Sequence, residues 1–443
     1  MSEAAASVDG PARRGRPAAL GFIYAAILMN VMSMGVIIPV FPSLVKSLSH
    51  TGDAGGARIM GVFAAAWALM SLVAAPIFGN LSDRFGRRPV LLVSMFGLAF
   101  DYVVMALAPS IAWLFIGRVI SGITASSGAA AGAYVADVSG EHDRARNFGR
   151  FQAAANAGIL FGPALSGAIT AFGPHLPGPI GSLFTMLGAR GPFWVAAGLA
   201  FANGLFGLFA LPESLSHERR APFSWRRANP IGAIALLFSH AGLLGMAAIV
   251  FLCQFAGQSF NSIFQFYTHY RFDWGPTDFA LLAMGLGGGS ILVQSFLAGW
   301  TAEWLGERGA VLLGLVIQVG AFLCAGLAPT PIWFWVSMGV FMISGVANAS
   351  LISLLSKRVG VDQQGQLQGS LQILFGLTGL VAPLAFTNLF AWAIGPGKGL
   401  DLPGAPFVVG AALTAVAVLM AIIYARPIPG APVALIAPES FAE

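Results

Sequence analysis

Gly79-Asn80-Leu81-Ser82-Asp83-Arg84-Phe85-Gly86-Arg87-Arg88-Pro89 is a short charged segment set between two apolar runs, 59–79 and 89–108. Each run has the roughly 20-residue length at which a helix crosses a bilayer. The rest of the 443-residue chain repeats this alternation, with 57% hydrophobic residues and only 9% Asp, Glu, Lys and Arg, against roughly a quarter charged in soluble domains. Such a composition excludes an ordinary soluble enzyme and points to an all-α polytopic membrane protein. The formal net charge of +5 does not indicate nucleic acid. Its basic residues lie between apolar runs and form no continuous patch, so lipid head groups are the simpler partner. Cys253 and Cys324 fall inside apolar runs, where they read as small core residues, and neither a disulfide framework nor a metal site is expected.

Working outward from this segment, the first span is 20–38. Arg13, Arg14 and Arg16 precede it as in a signal peptide, but the run is too long for a signal sequence and has no clear cleavage site. The other spans are 59–79, 89–108, 111–135, 149–171, 192–211, 241–266, 277–299, 309–328, 331–354, 369–393 and 403–425, twelve transmembrane helices in total. An even number of spans puts both termini on one side. On that side fall Arg13, Arg14, Arg16, Arg84, Arg87, Arg88, Arg144, Arg146, Arg150, Arg219, Arg220, Arg226, Arg227, Arg308, Lys357, Arg358 and Arg426. The opposite side has only Lys46, Arg58, Arg190, Arg271 and Lys398. The excess makes both termini cytoplasmic. Arg118 alone is left inside a span.

The connection 213–240 carries four arginines and divides the chain near its middle. The expected organisation is a cytoplasmic tail (1–19), a six-helix half (20–212), a cytoplasmic linker (213–240), a second six-helix half (241–426) and a cytoplasmic tail (427–443). A shift of 220 residues maps Gly79, Asp83, Gly86 and Arg88 onto Gly299, Glu303, Gly306 and Arg308. The same shift carries Ala108-Pro109 to Ala328-Pro329, Trp113 to Trp333, Gly149 to Gly369, Gln152 to Gln372 and Pro163 to Pro383. A constant offset across so many positions reveals an internal repeat. Parallel six-helix repeats are a transporter plan, with substrate bound between the halves near the midplane.

Within the opening segment, Gly79 lets two helices approach closely and Gly86 permits a tight turn. Asp83 can accept hydrogen bonds from the start of a neighbouring helix and pair with an arginine among Arg84, Arg87 and Arg88. Asp137, near the end of the fourth span, is a candidate partner for the same arginines. Together these residues suggest a conformational latch; the plainer alternative is a positive-inside loop, which requires no glycines at fixed positions. Arg118 in the fourth span must have a partner, since a guanidinium costs roughly 2.5–3.5 kcal/mol even on insertion scales. Asp101, the one acid placed deep in a span, stands about eight residues before the turn at Pro109 while Arg118 stands about eight after it, which at ~1.5 Å rise gives similar depth. A structural ion pair and a proton carrier both remain open for Asp101. In the fifth span, Gly158, Gly162, Pro163 and Gly167 give a smooth face and a local bend, read either as a hinge and seal or as a generic packing seam.

These motifs resemble the major facilitator superfamily: the loop signature at 79–89, the intramembrane Arg118 followed by Ser121 and Gly122, and the glycine-proline run 158–167, which is typical of drug:proton antiporters. Over most of the chain, segments such as Phe100-Asp101-Tyr102, Arg271-Phe272-Asp273-Trp274 and Gln364-Gly365-Gln366-Leu367-Gln368-Gly369 look like the bacterial tetracycline-efflux branch. The resemblance implies the major facilitator fold in two pseudo-symmetric halves, in a bacterial inner membrane. Asp83 and Asp101 match acids of that branch, whereas Asn30 and Gln318 stand where it carries acids in the first and ninth spans.

Gln254, Gln258, Asn261 and Gln265 recur at spacings of four, three and four, one polar stripe on the seventh helix. Lipid-facing amides are costly, so the stripe faces the interior, as helix-to-helix hydrogen bonding or as cavity lining. The resemblance implies the latter, and Asn30, Gln294 and Gln318 join it as cavity candidates. Amides fix no charge, so a lining of amides with aromatic residues such as Phe264 and Phe266 and little acid suits a neutral or amphiphilic solute. No nucleotide-binding loop, catalytic residue set or cofactor motif is visible. The leading expectation is a monomeric, proton-coupled exporter of a small molecule, with Asp101 and Arg118 in coupling. An uptake permease for a nutrient or cell-wall fragment is the alternative, followed by a non-transporting assembly factor and, least favoured, a membrane enzyme.

Overall fold

The computed structural model describes residues 16–125, 128–140, 143–215, 218, 220–221, 237–238, 241–293, 297–360 and 363–425. Its first half runs α1 (Arg16–Ile37), α2 (Phe41–Ser49), α3 (Asp53–Phe85), α4 (Arg87–Leu107), α5 (Ile111–Thr124), α6 (Gly128–Val138), α7 (Arg144–Phe172), α8 (Pro179–Leu187) and α9 (Gly191–Ala210). The second half runs α10 (Ala241–Phe272), α11 (Pro276–Leu292), α12 (Ala298–Gly326), α13 (Pro331–Ile343), α14 (Val346–Ser356), α15 (Gln364–Ala393) and α16 (Ala405–Tyr424). There is no strand among the described residues. Among the described residues, ten helical segments are long and apolar enough to cross a membrane, and Ile111–Thr124 and Thr277–Leu286 are shorter apolar helices. Together they accord with twelve spans.

Helices outrun the apolar windows wherever their ends are polar. α3 starts at Asp53 and ends next to Arg84, an acid at the positive end of the helix dipole and a base at the negative end. The expected fourth span is divided between α5 and α6, and the tenth is divided at Ser344-Gly345 between α13 and α14. Ala125, which follows α5, lies 220 residues before Gly345, so the two divisions fall at repeat-related positions. Gly86 between α3 and α4 has φ 107°, and Gly306 within α12 has φ 68° and ψ 163°. Both repeat-related turns take a backbone that glycine alone adopts freely. The short helices α2 and α8 were outside the expected set; each opens with proline in its first turn, a placement that spares a backbone hydrogen bond.

Buried side chains form four clusters. Around Phe41, Tyr102, Leu114 and Phe193, and around Ile23, Leu91, Tyr134 and Leu211, the contributors come from α1 to α9 and the segment just after it. A third, around Met246, Leu315 and Leu355, comes from the second half together with Leu237. The fourth is an aromatic core of Phe260, Tyr267, Phe322, Phe334 and Phe407 that also takes in Ala57 of α3. Phe260 and Phe322 stack at 5.0 Å, and the Tyr267 hydroxyl donates to the Ala325 carbonyl at 3.0 Å.

Candidate functional site

At the Gly79–Pro89 turn, Arg87 is the hub. Its Nη1 donates to Asp83 Oδ1 at 2.5 Å and to Ser82 Oγ at 2.7 Å, while Nε donates to Asp137 Oδ2 of α6 at 3.1 Å. One rigid guanidinium thus joins α3 to α6, a geometry that a lysine ammonium does not reproduce. Arg88 reaches the other way and donates from Nη2 to the Leu208 carbonyl at the end of α9. Arg84 lies over the Phe85 ring at 5.1 Å. Sequence reading missed Glu213: its carboxylate accepts from the Arg87 amide at 2.8 Å and the Arg88 amide at 3.2 Å, capping α4, and also from the amides of Ser214 and Leu215. An acid directly after the last residues of the sixth span was the available signal, but only the fold brings it to a turn 126 residues away.

The second half repeats this plan with signs reversed. Glu307 and Lys357, 220 residues beyond Arg87 and Asp137, pair at 2.8 Å, and Glu307 also accepts from Ser353. Arg308 donates to the Ile422 carbonyl of α16 at 2.9 Å, as Arg88 does to α9. Each half therefore ties its third-span equivalent to a neighbouring helix end through side chains at matching register.

Deep in the first half, Asp101 of α4 is fully buried, and no partner meets either carboxylate oxygen at full hydrogen-bond geometry. Arg118 and Ser121 of α5 and the next residue, Tyr102, are its polar neighbours. Of the two roles left open for Asp101, the ion pair is not formed: the Arg118 guanidinium carbon sits 4.1 Å over the Phe41 ring. Phe41 stands at the start of α2, an element the sequence reading did not foresee, and it offers a desolvated cation the negative face of its ring.

Arg118 borders a cavity of about 330 Å³ with Phe41, Trp67, Tyr102, Ser121 and Asn261. A second cavity of about 910 Å³ starts at Trp67 and runs along α3 to Gly79 and Asp83, faced by Gln258 and by Gln372 and Phe375 of α15. A third, about 300 Å³, lies among Gln254, Gln258, Asn261 and Phe341. Shared walls at Trp67, Gln258 and Asn261 make one system between the halves. Gln254, Gln258 and Asn261 line it, and the Asn261 amide donates to Gln258 Oε1 at 2.9 Å. Gln265 does not line these cavities; it is buried and donates to the Ile38 carbonyl at 2.9 Å. Asn30 and Gln318 border none of the three; Gln318 is buried in α12 and Asn30 is half-buried in α1. Gln294 lies outside the described residues. Trp67, Tyr102 and Phe341 were missed, since an aromatic residue inside an apolar window has no signal that separates lining from core.

The glycine-proline run divides its labour. A Cβ at Gly162 would lie 2.6 Å from the Gly35 Cα, and one at Gly158 would lie 2.8 Å from the Val31 Cβ, so both seat α7 against α1. Gly167 faces across the halves, where a Cβ would meet that of Ala280 in α11 at 2.5 Å. Pro163 lies inside α7, with its ring beside Gly35.

Residues 23–383 match the family model of the Major Facilitator Superfamily. The class C tetracycline resistance protein of Escherichia coli is 34% identical over 396 residues, 89% of this chain and 94% of that one. The class D protein of Salmonella ordonez is 32% identical over 415 residues, 94% of this chain and 98% of its own. Among solved structures, that of a D-xylose-proton symporter superposes with a TM-score of 0.71 at 17% identity, covering 92% of this chain and 97% of the other, a likeness of fold. With its helix plan, repeat-related turns and central cavity, the chain belongs to the major facilitator superfamily, as a transporter of the multi-pass membrane kind.

Proposed function

We propose that this protein is a proton-coupled exporter of a small neutral or amphiphilic, drug-like compound, working by alternating access. The observation that carries this reading is the cavity system itself. Its walls are mainly apolar and aromatic, its amides include Gln254, Gln258, Asn261 and Gln372, and Arg118, which borders it, adjoins the buried Asp101. An acid buried beside a solute cavity is suited to exchange a proton as solute moves. Asp101 is the proposed proton carrier and Arg118 its modulator. The tetracycline resistance relatives favour export and a drug-like solute. The polar positions Asn30 and Gln318 leave the site without further deep acids, which favours a solute of low charge. In this reading both termini are cytoplasmic, the membrane is a bacterial inner membrane, and one chain is the working unit.

Proteoliposomes with an imposed pH gradient test the proposal. A neutral amphiphile and a cationic dye are supplied in parallel; gradient-driven movement of the amphiphile is expected, and selective movement of the dye would overturn the assignment. Asp101→Asn should abolish the gradient-driven component.

A further inference from the structure

At the end of the molecule remote from Asp83, three side chains from two halves meet. Lys46 in the last turn of α2 pairs with Asp53 in the first turn of α3, Nζ to Oδ1 at 2.7 Å. His269 in the last turn of α10 sets Nδ1 3.2 Å from Asp53 Oδ2 and Nε2 3.3 Å from Lys46 Nζ. One carboxylate therefore serves a cation of its own half and an imidazole of the other. Beneath this triad the halves are in contact. Gln265 of α10 donates to the Ile38 carbonyl at 2.9 Å, and a Cβ on Gly56 would meet the Phe266 ring at 2.9 Å. Toward the opposite end, the 910 Å³ cavity lies between α3 of one half and α10 and α15 of the other and reaches Asp83.

We propose that Lys46, Asp53 and His269 form the lock that holds the far end shut while the Asp83 end is open, with Asp53 as the positioning residue of that closure. This inference rests on the alternating-access reading. Opening the far end pulls His269 away from Asp53, and the triad is the only set of formal charges among the described residues that spans the halves by ion pairing there. Its members are partly exposed, with Asp53 the most covered. Each link is therefore weak enough to be broken in every cycle, as partly solvated ion pairs are. Asp53 does double duty: without its charge, neither the Lys46 ammonium nor the His269 imidazole has a carboxylate to meet.

The test places a single reporter cysteine at Met60, which lines the cavity on the inner side of the triad, in a chain with Cys253 and Cys324 replaced by serine. Oriented vesicles are treated with a membrane-impermeant maleimide confined to the Lys46 side. Asp53→Asn and His269→Ala should each speed labelling by about 1.5- to 5-fold, the range that one partly exposed ion pair supports, and Asp53→Glu should keep the slow rate. Unchanged rates in both Asp53→Asn and His269→Ala, in protein that retains its helical circular dichroism, would overturn the proposal. Labelling needs neither solute nor gradient, so absence of transport would sink the proposed function and leave this lock standing.

Discussion

Arg118 lies over Phe41, its guanidinium carbon 4.1 Å from the ring centroid, and this contact replaces the ion pair that depth alone suggested with Asp101. The arrangement leaves a buried carboxylate beside a ring-stabilised cation, and the cation borders the cavity. No direct bond joins the two, yet they remain electrostatic neighbours, so a change of charge at one is felt at the other.

Phe41→Leu retains apolar bulk and removes the ring. A desolvated cation–π contact contributes about 2 kcal/mol, so the variant should unfold in detergent at a measurably lower temperature, whereas Phe41→Tyr should stay near the parent. Thermal unfolding followed by circular dichroism reads both, and equal stability for Leu and Tyr would show that the ring holds no cation.

Arg87→Ala deserts Asp83 and Asp137 together. Breaking a buried pair costs about 3–5 kcal/mol, but the two acids are 41% and 23% exposed, which reduces the expected loss to about 1–3 kcal/mol. Arg87→Lys should recover only part, because one ammonium cannot span both carboxylates. Lys357→Ala, at the sign-reversed and more solvated pair in the second half, should cost no more than about 1 kcal/mol. Parallel denaturation curves give the ranking.

Glu213→Ala removes the acceptor for the first amides of α4. A lost cap costs about 0.5–2 kcal/mol, and faster hydrogen exchange should be confined to the start of α4 and the end of α9. Protection unchanged at those amides would show that the cap is dispensable.

Gly162→Ala places a Cβ 2.6 Å from the Gly35 Cα and 2.7 Å from the Met32 carbonyl oxygen. Backbone cannot yield as a side chain can, so α1 and α7 must separate, at about 1–3 kcal/mol for overpacking. Gly149→Ala, on the same helix with nothing within 4 Å, is the control and should be neutral or slightly stabilising. Similar unfolding temperatures for the two variants would contradict the close approach.

The spans, the repeat and the charged turn at Gly86 were readable in one dimension, because bilayer crossing, glycine conformation and a 220-residue offset are properties of the chain itself. The polar stripe was half readable. Spacing put Gln254, Gln258, Asn261 and Gln265 on one face of α10, yet the last of them closes against Ile38 while the others line open space. Helical periodicity says which residues share a face and nothing about where the neighbouring half begins.

What the sequence by itself determined was therefore the alternation of apolar spans with charged turns and the 220-residue repeat that relates them. Only the tertiary structure decided which charges meet: Glu213 with the turn at Gly86, Arg87 with both Asp83 and Asp137, Asp53 with His269 across 216 residues, and Arg118 with Phe41 in place of Asp101. The physical reason is directional. Depth along a helix follows from counting residues, whereas the rotation of one helix against another and the rotamer of a long side chain are fixed by the whole bundle.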